Sequence, residues 1–224
     1  MKKFIGLLFG LFIAFTGIAQ DAQTLMDEGT AAYKAKNYPL AAEKFDAAAE
    51  ASDELAGEAN YKAGKVYSKL KNYKKSIERF ENSLEAGESP ARVYFYMAES
   101  FKKMGNTNKV IECYENGVQS SGSSKYKSLC RKNLIRAYQK EGVDAYNLAV
   151  KKLEEAEGLD ENSEEYNDLI AEVHSVLHEA EEVLLKAYPF DNKNKTILLT
   201  LVKIYTKLEN QTEADKYQAE LDAI

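Results

Sequence analysis

The 224-residue chain carries 36 Asp and Glu against 30 Lys and Arg, a net charge of −6, which argues against a general nucleic-acid binder. Its 45% hydrophobic and 11% aromatic content suffices for a core, and 3 Pro and 12 Gly leave little room for linkers. Two cysteines are too few for a disulfide framework.

Residues 1–19 read as a signal peptide. Met1-Lys2-Lys3 is basic, Phe4 to Ile18 is apolar, and Gly17-Ile18-Ala19 supplies small residues for a peptidase. The apolar run is shorter than the roughly 20 residues a spanning helix needs, so the expected mature chain starts at Gln20 without a stable membrane span. Losing Lys2 and Lys3 lowers the base count from 30 to 28 and makes the net charge −8.

Internal repeats organise residues 20–224 as one domain. Segments from Gly29, Gly64 and Ala98 each begin with a small residue. Each reaches a turn, at Asn37, Asn72 and Asn106, and continues through Ala41, Ser76 or Val110 to Phe45, Phe80 or Tyr114. Ala48, Ser83 and Gly117 follow, and Val202, Tyr205, Asn210 and Ala214 repeat the pattern near the end. Small residues let two helices approach, and the aromatic fills the space beside them. Asn tolerates unusual backbone angles and caps the next helix. Ser89-Pro90 reads as an N-cap followed by Pro at the first helical position. Gln218 stands where a large residue is expected, as on a capping helix with a wet outer face.

Between Tyr138 and Ala180 lie 33 residues more than one repeat holds. Apolar positions stay in helical phase through Leu134, Tyr138, Ala145, Leu148 and Leu153, and again from Leu169 to Leu184. We therefore expect both helices to be extended, with residues 143–176 a hairpin turning at Gly158 to Ser163, in place of an extra repeat. Cys113 and Cys130 flank the Gln119–Ser124 loop. They either pair in an oxidising compartment or serve as small buried hydrophobes.

A helix-turn-helix of about 34 residues with these positions resembles the tetratricopeptide repeat family, over repeats at about 22–53, 57–88, 91–120, 124–190 and 195–222. Certain exported members from Gram-negative bacteria look similar in pairing two elongated helices with a conventional last repeat. The resemblance implies an all-α, right-handed solenoid of antiparallel helix pairs whose concave face holds a partner protein. The family's groove positions correspond to Met26, Thr30, Tyr33 and Lys34, then Tyr61, Lys65, Ser68 and Lys69, then Phe95, Glu99, Lys102 and Lys103. Lys132, Arg136, Gln139 and Lys140 continue the stripe, with Lys203 and Lys207 last. Basic residues with interleaved aromatics in an acidic protein suit an extended acidic peptide segment. The competing account is that lysines at helix ends complement the helix dipole and stay solvated. Members that clamp acidic C-terminal tails need Lys, Asn and Arg where this chain has Met26, Thr30 and Glu99, so that activity is not expected.

His174, His178 and Glu182 share one side of a helix, yet Ser175 breaks the zinc-protease pattern, so no metal is expected. No phosphate loop, catalytic triad or cofactor motif is present, and we expect a non-enzymatic scaffold or adaptor in the cell envelope, periplasmic or otherwise exported. A chaperone-like factor for envelope or outer-membrane assembly and a glycan binder are the rival readings.

Overall fold

The computed structural model describes residues 21–224, and the expected signal segment with its cleavage point lies outside them. Among the described residues the secondary structure is all helical. Helix α1 occupies 21–34, followed by α2 (Tyr38–Ala51), α3 (Asp53–Lys69), α4 (Tyr73–Glu85), α5 (Pro90–Lys103) and α6 (Thr107–Gln119). Then come α7 (Ser124–Ala156), α8 (Glu164–Ala187), a 3-10 turn at Tyr188–Phe190, α9 (Lys195–Lys207) and α10 (Gln211–Asp222). The described residues group into two compact units, the first ending at Cys130 and the second beginning at Arg131.

In the first unit consecutive helices pack pairwise, and their crossings show why small residues recur. A Cβ added to Gly29 would lie 2.8 Å from the Phe45 ring, and one on Gly64 would lie 2.7 Å from Phe80. At these two crossings a residue without a side chain leaves room for the aromatic against the helix backbone. Ser76, fully buried, donates to the Gly64 carbonyl at 2.8 Å and lies 2.9 Å from the Ser100 hydroxyl. Ser83 donates to the Gly57 carbonyl at 2.8 Å. These hydroxyls satisfy themselves on backbone oxygens, which lets serine stand at close crossings.

The turns repeat one geometry. Lys71 donates to the Ser68 carbonyl and Asn72 to the Tyr67 carbonyl, the paired bonds of a Schellman motif. The Asn72 side chain then accepts from the Lys75 amide at 3.2 Å and starts α4. Asn37, Asn106 and Asn210 behave alike. Contrary to expectation, the asparagine is not the residue with the unusual backbone angle. The preceding residue is, with φ of 61° at Lys36, 61° at Lys71, 74° at Gly105 and 56° at Glu209. Ser89 precedes α5 as expected, with Pro90 in its first turn, but its side chain makes no capping bond. The Glu88 carboxylate takes the Ser89 amide instead.

The second unit uses the same devices on longer elements. Helix α7 runs unbroken through 33 residues and α8 through 24, with a turn between them, so residues 143–176 lengthen two helices and add no repeat. Gly142 lies against Leu184, where an added Cβ would be 2.5 Å from Cγ. Tyr205 donates to Glu181 at 2.7 Å, linking α9 to α8 just as Tyr67 donates to Asp46 at 2.5 Å to link α3 to α2. Each tyrosine stands five residues before its capping Asn. At the last helix the aromatic has moved: Tyr217 is 4% exposed and stacks on Tyr205 at 5.6 Å, while Gln218 is half-buried. Val202 occupies the place of Gly64 in the repeat. Among the described residues no helix is long and apolar enough to cross a membrane.

Candidate functional site

Helix α3 is well specified at both ends. Ser52 caps it by accepting from Leu55 at 3.4 Å, Asp53 and Glu54 fill its first turn, and Lys69 its last. Tyr61 and Lys65 stand one turn apart on it, on the face turned to α5. Tyr96 of α5 meets the Tyr61 ring edge-on at 5.8 Å and the Phe80 ring at 6.5 Å. Tyr126, in the first turn of α7 and still within the first unit, lies 6.0 Å from Tyr96 and 5.8 Å from Phe95. Five rings from four helices thus form one continuous cluster.

Two cations lie on it. The Lys65 ammonium is 5.3 Å from the Tyr61 ring centre and 5.0 Å from that of Tyr96. The Arg92 guanidinium lies 4.1 Å above Tyr61 and is held by Glu58 and Glu88. Among the described residues no carboxylate comes within 4.0 Å of Lys65. Burial pushes the Lys65 amine below its ordinary pKa, because removal from water disfavours the charged form. Burial also raises the Tyr61 hydroxyl, with Tyr96 and Tyr126 adding to it, so the phenol stays neutral.

Beside the cluster Thr30, Tyr33, Phe45, Lys62 and Lys65 line a half-open pocket of about 130 Å3. Its wall is largely carbon, since the Phe45 ring forms part of it and Thr30 spends its hydroxyl on the Met26 carbonyl at 2.8 Å. Lys62 reaches over Phe45 at 5.6 Å and lies 3.7 Å from Glu58.

Of the residues singled out in the sequence, Tyr33, Lys65 and Phe95 belong to this region and are half-buried. Tyr61 belongs to it too, but at 4% exposure it is a floor rather than the open anchor expected. Met26, also 4% exposed, packs in the core of the first helices. Glu99 accepts from Tyr114 at 2.7 Å. Lys34, Lys69, Lys102 and Lys103 are exposed at the ends of α1, α3 and α5, which is the dipole-complementing placement. Lys132 and Arg136 are exposed on α7 in the second unit and are not part of the cluster. Lys62, Arg92, Tyr96 and Tyr126 were not foreseen. Tyr96 follows Phe95 directly, and the Lys-Tyr pairs at 65/61 and 125/126 were the signal available.

The second unit presents different chemistry. Glu155, Glu164, Glu165, Asp168 and Glu172 surround Leu159 and Leu169 in an open depression at the hairpin's turn. His174 and His178 are exposed, with His178 Nδ1 3.0 Å from Glu181 and Glu182 paired to Lys186 at 2.8 Å. Among the described residues no three His, Cys, Asp or Glu side chains gather around a common point for a cation. Cys113 and Cys130 are free and buried, and burial pushes their thiols up to about 12 and about 11. They are the small buried hydrophobes of the two readings.

A model of the tetratricopeptide repeat family matches residues 57–86, the α3–α4 pair. None of the curated proteins matches the chain. Among solved structures, a TPR repeats protein from Bacteroides fragilis is 19% identical, with a TM-score of 0.48 over 89% of this chain and 98% of that one. A tetratricopeptide repeat protein from Parabacteroides merdae is 13% identical, with a TM-score of 0.49 over 91% of this chain and 80% of that one. YrrB, described as a TPR protein with an unusual peptide-binding site, is 18% identical, with a TM-score of 0.47 over 94% and 89%.

Proposed function

We propose that the protein is a scaffold or adaptor that holds an extended, acidic segment of a partner protein against the α1–α3–α5 face of the first unit. The observation that carries this reading is Lys65, a half-buried cation on a five-ring aromatic cluster without a carboxylate in reach among the described residues. A half-buried charge held by aromatic rings but by no carboxylate keeps part of its desolvation cost. An incoming carboxylate relieves that cost, and the half-exposed rings of Phe95 and Tyr126 supply apolar area beside it. The face offers no enclosed cavity and no nucleophile beside a base, which favours binding over chemistry.

We further propose that this happens in the cell envelope. Lys2-Lys3, the apolar run and Gly17-Ile18-Ala19 support export. N-terminal sequencing of extracytoplasmic protein should begin at Gln20, and an intact Met1 on protein in the cytoplasm overturns the location.

Crosslinking and mass spectrometry on native envelopes test the binding reading. One stoichiometric partner should crosslink to α3 and α5, and the Phe95→Ala, Tyr126→Ala double variant should release it faster at a temperature where its own melting curve shows it folded. Crosslinks confined to 143–176, with unchanged binding by that variant, would replace the first unit by the hairpin. Broad suppression of aggregation without a stoichiometric partner would favour the chaperone-like role.

A further inference from the structure

The pocket between α1 and α3 has a composition that the groove as a whole does not share. At about 130 Å3 it is far smaller than the roughly 300–1,000 Å3 of small-molecule sites, so it has room for one side chain and not for a free metabolite. Phe45 and Tyr33 offer it carbon. Two ammonium groups about one turn apart on the same face of α3 border it, and they are not equivalent. Lys62 has Glu58 at 3.7 Å, whereas Lys65 has no carboxylate within 4.0 Å among the described residues. One apolar side chain therefore enters the pocket, and one negative charge belongs just outside it toward Lys65.

We propose that this pocket reads a short element inside the bound segment, an aliphatic side chain with Asp or Glu two positions along. The proposal rests on the groove reading above and specifies what that groove selects. Alternate side chains of an extended segment share one face, so the aliphatic residue enters the pocket while the acid two positions along faces the same surface and reaches Lys65 at the rim. Clamping of a chain-terminal carboxylate does not fit: Met26 is buried in the core and Glu99 is engaged by Tyr114, so no second set of free polar groups converges there. The burial that lowers the Lys65 amine also strengthens its attraction to a carboxylate that arrives without water.

The test is selection of random ten-residue peptides displayed on phage against the full mature chain, followed by titration of labelled, amidated synthetic copies. Peptides sharing a pair made of an aliphatic residue and an acid two positions along are expected, bound about equally well with amidated or free C-termini. Replacing the acid by Asn or Gln should weaken them about tenfold, as for loss of a charge-assisted hydrogen bond. Lys65→Gln should weaken them by the same factor and make that replacement almost without effect, whereas Lys62→Gln should cost less. Tyr33→Ala should weaken the aliphatic contact when measured at a temperature where its own melting curve shows it folded, since Tyr33 also packs on the core and on Tyr38. Selected peptides that lack the pair, or that bind Lys65→Gln like the parent, overturn the pocket's selectivity while leaving the groove reading in place. Failure of every peptide to bind overturns both.

Discussion

Gly64 lies under Phe80 in the α3–α4 pair, and Gly142 lies under Leu184 in the α7–α8 pair. In both units a backbone without a side chain receives a large neighbour, and a tyrosine hydroxyl ties one pair to the helix before it. The packing rule is shared, but the surfaces differ. The α3–α5 face carries Lys65 on five rings, whereas the turn of the hairpin carries five acids around two leucines. Core residues in a helical repeat fix where neighbours go, and the residues between them are free to diverge. The two units thus present different surfaces on one packing plan.

The largest expected effects test whether that plan is shared. Phe80→Ala should destabilise the first unit by about 3–5 kcal/mol and Leu184→Ala the second by about 2–5 kcal/mol, because both side chains are fully buried. Urea unfolding followed by tyrosine fluorescence measures both. Two transitions, each moved by only one variant, would show the units unfolding separately. A single transition moved by both would show them coupled.

Smaller and sharper is the glycine test. Gly64→Ala puts a Cβ 2.7 Å from the Phe80 ring, and Gly142→Ala puts one 2.5 Å from Leu184 Cγ and 3.2 Å from the Ala180 carbonyl. Each should cost about 1–3 kcal/mol, offset in part by the roughly 1 kcal/mol that alanine gains over glycine inside a helix. Leucine re-rotates more easily than a ring shifts, but a backbone carbonyl also confines position 142. If Gly142→Ala stabilises the protein while Gly64→Ala destabilises it, the hairpin crossing is the looser one.

Ser76 extends the same test to a hydroxyl. Ser76→Ala should cost about 1 kcal/mol, the worth of one ordinary buried hydrogen bond, since Ser100 keeps the Tyr96 carbonyl at 3.4 Å. Ala214, at the corresponding place in the second unit, has no such bond to lose, and Ala214→Ser should bring no comparable gain. Thermal melting distinguishes the two cases, and an unchanged Ser76→Ala would mean the bond is cancelled by desolvation.

Much of this architecture is legible in the chain because packing recurs at one spacing. Gly64, Asn72, Ser76 and Phe80 each do a job that only a small, capping or aromatic residue does, and the 34–35 residue interval repeats it. The long hairpin is legible for the same reason, as apolar positions stay in helical phase past Tyr138. The cluster is less so. Lys65 is visible as a charge on a first helix, but its surroundings come from Tyr96 and Tyr126, which reach it from other repeats. Nor does charge pattern tell a floor from a rim: Tyr61 and Met26 occupy groove register and are both buried. Lys132 and Arg136 continue the basic stripe along the sequence, yet they belong to the other compact unit.

The smallest expected effect lies in the turns. Lys36, Lys71 and Glu209 hold left-handed backbone angles that cost a residue with a side chain about 1–2 kcal/mol, whereas Gly105 meets the same demand freely. Each turn is fixed from both sides by paired bonds to the preceding helix and by the Asn cap of the next, so the angle cannot relax. Glycine there removes the strain but gives the unfolded chain more freedom, which returns about 0.5–1 kcal/mol of the gain. Lys71→Gly should therefore stabilise the first unit, and Glu209→Gly the second, by up to about 1 kcal/mol, read as a higher urea midpoint at unchanged slope. Gly105→Lys should lose a similar amount. A midpoint raised by Lys71→Gly but lowered by Glu209→Gly would show that Glu209 does something in its turn beyond tolerating the angle. The two units would then differ in their connections as well as in their surfaces.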